Sequence, residues 1–165
     1  MDVQDCLNEN GDNAVSGRIA YTKPGHDQEG FRAPQVCRII GITYRQLDYW
    51  ARTGLLRPSI NDARGSGTQR VYSYADLLQL KMVKQLLDAG VSLHSTRKAV
   101  GCLRNSETDV AGTNLIITDD SSTLTRSETE LFNWLRGTTG TLSIVVSIDK
   151  IISEVDAAMT AARLP

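Results

Sequence analysis

The sequence predicts a mainly α-helical N-terminal domain that contains a helix-turn-helix, followed by a small α+β domain. Within residues 31–104, hydrophobic residues recur at helical spacing, and capping residues and glycines mark the helix ends. Within residues 113–165, β-branched runs alternate with helical patterns. The first stretch has a net charge of about +8, although the whole chain has a net charge of −1. A basic domain between acidic segments indicates a polyanionic partner.

Length and composition predict a cytoplasmic protein with a packed core. The chain has 165 residues, 41% of them hydrophobic, and no apolar run approaches the roughly 18 residues of a membrane span. Its acidic start lacks the basic and apolar segments of a secretion signal. The three cysteines, Cys6, Cys37 and Cys102, are too widely spaced for a disulfide framework or a metal-binding pair. We therefore expect no metal and no cofactor.

The order of elements begins with an arm and a helix-turn-helix. Residues 1–30 show no sustained period, so we expect a flexible acidic arm. A first helix begins near Pro34, which suits a first turn, and ends at Gly41. Thr43 opens a T-x-x-Q capping box that starts a second helix, and Gly54 closes it. Two short helices joined by a three-residue turn are a helix-turn-helix.

The next segment predicts a hairpin and two more helices. Residues 58–70 are rich in turn formers, Arg64 lies near the expected tip, and residues 71–72 favour a strand. A basic helix followed by a basic projection is how a small domain holds duplex DNA, and we call this hairpin the wing. Ser73 and Ser92 then cap two further helices, which complete the domain over 31–104.

After a linker over residues 105–112, the patterns of residues 113–165 follow the order ββαβα. The last helix carries a heptad-like apolar stripe over three turns or more. We expect this stripe to join two copies of the chain in a homodimer through Ile148, Ile151, Val155 and Ala158.

Several spaced motifs of the basic domain occur in one order. They are Ile42-Thr43-x-Arg45-x-Leu47-x-Tyr49-Trp50, then Thr53-Gly54-Leu55-Leu56 with Pro58, then Arg70-Val71-Tyr72-Ser73 with Asp76. Over about residues 31–104, the chain therefore resembles the N-terminal domain of MerR-type transcription regulators. The resemblance implies a winged helix-turn-helix, a homodimer, and promoter DNA that the protein bends and untwists. It also implies RNA polymerase as an indirect partner.

The chain departs from that family in several respects. Asp48 stands where the recognition helix usually has arginine, and Gln69 stands where the wing usually has tyrosine. The long dimerisation helix expected after the fourth helix is absent, and residues 105–165 take its place. The chain is similar to a branch of the family with its own α/β C-terminal domain, which would supply dimerisation, binding of an unknown small-molecule effector, or both.

Helical spacing assigns the side chains of the second helix, the candidate recognition helix. Tyr44, Arg45 and Asp48 share its outer face, whereas Leu47 and Tyr49 are expected to face the core. Arg45 can read the O6 and N7 atoms of guanine in the major groove, or it can bind phosphate. The spacing leaves both interpretations open.

The remaining candidate DNA contacts are Asp48, Trp50 and Arg52 towards the end of this helix, and three residues of the wing. Asp48 can accept a hydrogen bond from cytosine, or it can pair with Arg45 or Arg52 and orient it, which we favour. The Trp50 indole can donate to phosphate or pack against the wing. The expected phosphate or minor-groove contacts in the wing are Arg64, Gln69 and Arg70.

Two other functions fit the same sequence. One is an architectural, excisionase-like DNA-binding protein, and the other is an interaction or small-molecule-binding module whose winged domain no longer binds DNA. Catalytic candidates are poor, because His26 lies in the arm and His94 has no evident partner. Asp119 and Asp120 are expected to form a turn. We therefore predict no enzyme.

Overall fold

The computed structural model describes residues 4–5, 21, 26, 29–63, 65, 67–106, 109–119, 121–137 and 142–163. Six helices and six short strands lie within these ranges. None of these helices is long and apolar enough to cross a membrane. The architecture is a helical winged helix-turn-helix followed by a small α+β part, which confirms the predicted fold class.

The helix-turn-helix consists of α1 (Ala33–Ile40) and α2 (Tyr44–Arg52). Gly41 ends α1 in the left-handed region, at φ 77°, which glycine adopts without a Cβ penalty. The Thr43 hydroxyl accepts the Gln46 backbone N–H at 3.2 Å, and the Gln46 amide oxygen accepts the Thr43 N–H at 3.0 Å. The predicted capping box therefore sets the start of α2.

The wing differs from the simple hairpin that the sequence predicts. Strand β3 (Val71–Tyr72) pairs antiparallel with β2 (Phe31–Arg32), which precedes α1. On its other side, Val71 forms an isolated antiparallel bridge with Asn61, with backbone N···O distances of 2.8 and 3.1 Å. The wing loop is thus closed by one bridge and supported by a strand from upstream of the helix-turn-helix.

Two helices, α3 (Tyr74–Asp88) and α4 (Leu93–Asn105), follow the wing. Ser73 and Ser92 cap them through their hydroxyls, as predicted. Most of α3 is buried, because it packs against α1, α4 and a helix from the C-terminal part.

The C-terminal part has the predicted ββαβα order. It comprises β4 (Asn114–Ile117), β5 (Ser122–Thr125), α5 (Glu128–Gly137), β6 (Ile144–Ser147) and α6 (Ile148–Arg163). A further strand, β1 (Gln4–Asp5), pairs with β5, so the sheet order is β1-β5-β4-β6 with antiparallel neighbours. No periodicity within residues 1–30 predicts this strand, because two residues are too few to show one.

The apolar stripe of α6 lies within the chain's own core, which corrects its predicted role in dimerisation. Ile148, Ile151 and Val155 are only 1–3% exposed, and Ala158 packs against the same hydrophobic cluster. The surfaces that cover α6 belong to α1 and α3. A heptad-like stripe shows which face of a helix is apolar, but it does not show whether the same chain or a second chain covers that face.

Polar contacts reinforce the packing of α6 on α3. The Tyr74 hydroxyl donates to the Asp156 carboxylate at 2.6 Å, and the Gln85 side-chain amide donates to Glu154 at 2.7 Å. A single hydrophobic cluster runs from the winged part into the C-terminal part. The two parts are therefore joined by core packing as well as by sequence.

Candidate nucleic-acid interface

The outer face of α2 is basic and aromatic. Tyr44 is 63% exposed and Tyr49 is 52% exposed, and Arg45 and Arg52 are also exposed. The exposure of Tyr49 contradicts its predicted place in the core. Leu47 begins the buried face, and residues three and four positions later continue it, whereas Tyr49 lies two positions away and so points outward.

Trp50 occupies the core position that the sequence assigned to Tyr49. It is 5% exposed and belongs to the hydrophobic cluster that also contains Leu47. This burial corrects the assignment of Trp50 to the DNA-contacting residues and supports the packing role that was its alternative. The helical spacing of Trp50 from Leu47 is the signal that predicts it.

Asp48 forms two ion pairs with arginines. Its Oδ2 atom lies 2.9 Å from Arg52 Nη2, which is one of the pairings predicted from the sequence. Its Oδ1 atom accepts a hydrogen bond from Arg70 Nη1 at 2.7 Å, which connects α2 to the wing. The predicted pairing of Asp48 with Arg45 does not occur between these described side chains.

These contacts perturb both titrating groups. The hydrogen bond from Arg70 lowers the pKa of Asp48, and the nearby charge of Arg52 adds to the effect. The same bond with Asp48 raises the pKa of Arg70. Both side chains therefore keep their charges at neutral pH.

Arg70 is only 19% exposed, so its guanidinium is less accessible than the sequence-based contact role suggests. Its Nε atom faces Asp62 at 3.5 Å and has no hydrogen-bond partner among the described residues. The sequence contains one sign of this arrangement, because Asp48 is an acid within a basic helix face.

The wing tip presents polar side chains and backbone. Gln69 is exposed, while its carbonyl accepts the Asn61 side-chain amide at 2.9 Å. Gly65 and Gly67 have φ values of 98° and 100°, which strongly favour glycine in this turn. The predicted contact Arg64 lies outside the described residues.

A cleft of about 450 Å³ separates α2 from the wing. Arg32 borders it beside Tyr44, and its exposed side chain is a candidate contact that the sequence interpretation omitted. In the sequence, the one indication that Arg32 could contact a ligand is its position just before α1. At the base, Tyr72 is fully buried, and burial raises the pKa of its phenol far above the ordinary value. The Tyr72 phenol therefore stays uncharged at neutral pH.

The C-terminal end of α2 is fixed by a cation from α4. Arg97 Nη2 donates to the Thr53 carbonyl oxygen at 2.9 Å, where the helix leaves carbonyl groups without helical partners. The Arg45 side chain, in contrast, makes no hydrogen bond or ion pair with any residue in the described ranges. Arg45 is thus an exposed cation available to a ligand on the outer face of α2.

Comparison with known proteins finds matches for the segment that contains α2 and the wing. Residues 31–100 match the model of the MerR HTH family of regulatory proteins. Uncharacterized HTH-type transcriptional regulators of Mycobacterium bovis and Mycobacterium tuberculosis are 50% identical to this chain over 121 residues. That alignment covers 72% of this chain and 53% of each relative.

A more distant relative is the nodulation protein NolA of Bradyrhizobium elkanii. It is 29% identical over 133 residues, which cover 77% of this chain and 55% of NolA. The chain thus spans about half the length of the curated relatives it matches.

Proposed function

We propose a function that proceeds from one premise: residues 31–100 make this chain a member of the MerR family of helix-turn-helix regulatory proteins. In this proposal, the chain is a sequence-specific transcription regulator that binds promoter DNA as a homodimer. The names of the mycobacterial relatives support the regulatory role. Promoter DNA is the direct partner in this proposal, and RNA polymerase is an indirect one. Such work would take place in the cytoplasm.

The observation that carries the proposal is the position of α2 beside the wing. Tyr44 and Asp48 of α2 border one cleft together with Arg32 and the wing residue Gln69. The nine-residue helix α2, about 13.5 Å long and about 10–12 Å in diameter with its side chains, fits a major groove about 12 Å wide. The wing can then meet the adjacent sugar–phosphate backbone.

Arg45 is the residue that we propose to read sequence. It is exposed and has no ion-pair partner within the described ranges, so its guanidinium can form two hydrogen bonds to guanine. Exposed cations around it, including Arg32 and Arg52, would bind phosphates and supply affinity that does not depend on sequence.

The test measures binding of the full chain to duplexes selected from a randomised pool, at several salt concentrations. We expect the parent's affinity to fall steeply with salt, because each phosphate contact releases counterions. Arg45→Gln should lose about 1–3 kcal/mol of discrimination between selected and unselected duplexes. Lys150→Gln, which removes an exposed cation from α6, is the matched control and should keep that discrimination. A parent chain that binds no duplex would refute the proposal.

The homodimer requires a surface other than the apolar stripe of α6. Helix α5 offers one, because none of its residues is buried, and Phe132 and Leu135 are 58% and 44% exposed. Glu128 lies one turn before Phe132, and Arg136 lies one turn after it on the same face. An antiparallel pair of α5 helices would therefore place each acid near the partner copy's base, with the apolar residues between them.

A further inference from the structure

The Asp48–Arg70 ion pair joins the two DNA-facing elements. Asp48 lies in α2, and Arg70 lies 22 residues later at the base of the wing, just before β3. The hydrogen bond between them is 2.7 Å long. It therefore fixes the wing to the candidate recognition helix at a point that borders the cleft.

The environment makes this pair stronger than the other ion pair of Asp48. The side chains of Arg70 and Asp48 are 19% and 25% exposed, whereas that of Arg52 is 72% exposed. Exposed pairs contribute little, because water screens the charges and the long side chains lose freedom. Partial burial and the cross-element geometry favour the Arg70 contact.

Phosphate would have to compete with two carboxylates for Arg70. Its guanidinium lies between Asp48 and Asp62, with shortest N···O distances of 2.7 and 3.5 Å. If Arg70 moved from these carboxylates to a DNA phosphate, Asp62 would lose Arg70 as a partner, and Asp48 would keep only Arg52. The uncompensated negative charge would then repel the phosphates. The pKa directions of Asp48 and Arg70 agree with a mutually stabilised pair.

We infer that Asp48 and Arg70 form a clamp that fixes the wing against α2, so that Arg70 serves DNA binding as a positioning residue and not as a phosphate contact. This inference rests on the proposed function. It also explains why the recognition helix carries an acid. Asp48 holds the wing at an angle at which Gln69 and the wing tip meet the sugar–phosphate backbone of the DNA.

A double-mutant cycle tests the clamp. The parent, Asp48→Asn, Arg70→Gln and the double variant are compared as full chains, with a duplex that the parent selects from a randomised pool. We expect Arg70→Gln to weaken binding by about tenfold in the parent, within the range for residues in direct contact. In the Asp48→Asn background, the same change should alter the affinity by less than about twofold, because its partner is already gone.

Two controls accompany the cycle. Arg45→Gln, proposed to contact DNA directly, should cost the same affinity with Asp48 or with Asn at that position. Lys150→Gln, which removes an exposed cation from α6, should leave the affinity unchanged with Asp48 or with Asn at position 48. Thermal unfolding of each variant shows whether it is folded at the temperature of the binding measurement.

The exchanged pair, Asp48→Arg with Arg70→Asp, keeps the test decisive if a single variant unfolds. The clamp predicts that the exchange regains at least part of the affinity that Arg70→Asp loses. Equal costs of Arg70→Gln in both backgrounds, or no cost in the parent, would overturn the clamp and make Arg70 a direct contact or a bystander. A parent without duplex binding would instead refute the proposed function itself.

Discussion

At the scale of residues, the candidate interface differs from place to place in which charges are compensated within the protein. Arg70 is half-buried and paired with Asp48, whereas Arg45 is exposed without an ion pair in the described part of the chain. Two arginines of one surface thus have different chemistry available to them. A count of basic residues does not distinguish them, because the distinction comes from a carboxylate 22 residues away.

The pairing of Asp48 predicts a specific dependence of stability on pH. Its pKa in the folded protein lies below the ordinary value of 3.8, chiefly because of the hydrogen bond from Arg70. The stabilisation is therefore fully present above that ordinary value and is lost as the pH falls through the lowered pKa.

Melting temperatures of the parent and of Asp48→Asn, measured from neutral pH to pH values well below 3.8, check this prediction. The parent's advantage should be constant near neutrality and shrink in acid. Two curves that stay parallel throughout the acid range would contradict it.

At the scale of elements, helix boundaries were predictable where one local interaction determines them. Thr43, Ser73 and Ser92 begin helices by accepting backbone N–H groups, and each lies where the sequence places a cap. The ββαβα order was predictable for the same reason, since alternation and helical spacing are local patterns.

Features that depend on distant segments were not predictable. Strand β2 supports the wing from before α1, and β1 extends the sheet from near the N-terminus. Tyr49 was predicted in the core and Trp50 among the DNA contacts, whereas Trp50 is the buried residue. Both are aromatic and adjacent, and only their spacing from Leu47 distinguishes the buried one from the exposed one. For the candidate site, the outer face of α2 was correctly assigned for Tyr44 and Arg45, but the pairing of Arg70 was missed.

The burial of one face of helix α6 predicts how substitutions in that helix change the stability of the protein. Ile151→Ala should lower the free energy of unfolding by about 2–5 kcal/mol, because it opens a cavity between α6 and the winged part. Ile152→Ala, at the adjacent half-buried position, should cost about 1 kcal/mol.

Chemical denaturation at two protein concentrations measures both changes. The loss caused by Ile151→Ala should not depend on concentration, since the same chain covers that residue. If the loss of unfolding free energy instead depended on protein concentration, the apolar stripe of α6 would be a contact between two copies of the chain.

At the scale of the whole molecule, the C-terminal part has two separate surfaces. Helix α6 packs on α1 and α3, whereas α5 contacts the sheet at β5 and buries none of its residues. The inner surface joins the C-terminal part to the winged part. The outer surface remains available for a second copy, as the proposed homodimer requires.

The prediction at this scale concerns the number of copies. Sedimentation of the full chain should show a dimer, and Phe132→Glu should shift it towards monomer, because two acids would then replace the apolar centre of the antiparallel α5 contact. Ala157→Glu adds an acid to an exposed position of α6 and should leave the parent's distribution unchanged.

Duplex binding by Phe132→Glu should weaken in parallel with the loss of dimer, since two joined copies bind neighbouring half-sites at high effective concentration. A Phe132→Glu chain as dimeric as the parent would exclude α5 as the contact. A parent that sediments as a monomer at all concentrations would exclude the homodimer.

The support that β2 gives to β3 has a practical consequence for protein engineering. Because Phe31 and Arg32 pair with Tyr72 and Val71, the wing is anchored by residues that a trimmed expression clone starting at the first helix would omit. Protease cleavage between Arg32 and Ala33 would likewise loosen the wing and leave every side chain of α2 in place. Tags and cleavage sites for biochemical work therefore belong upstream of Gln4, so that β1 and β2 both remain in the chain.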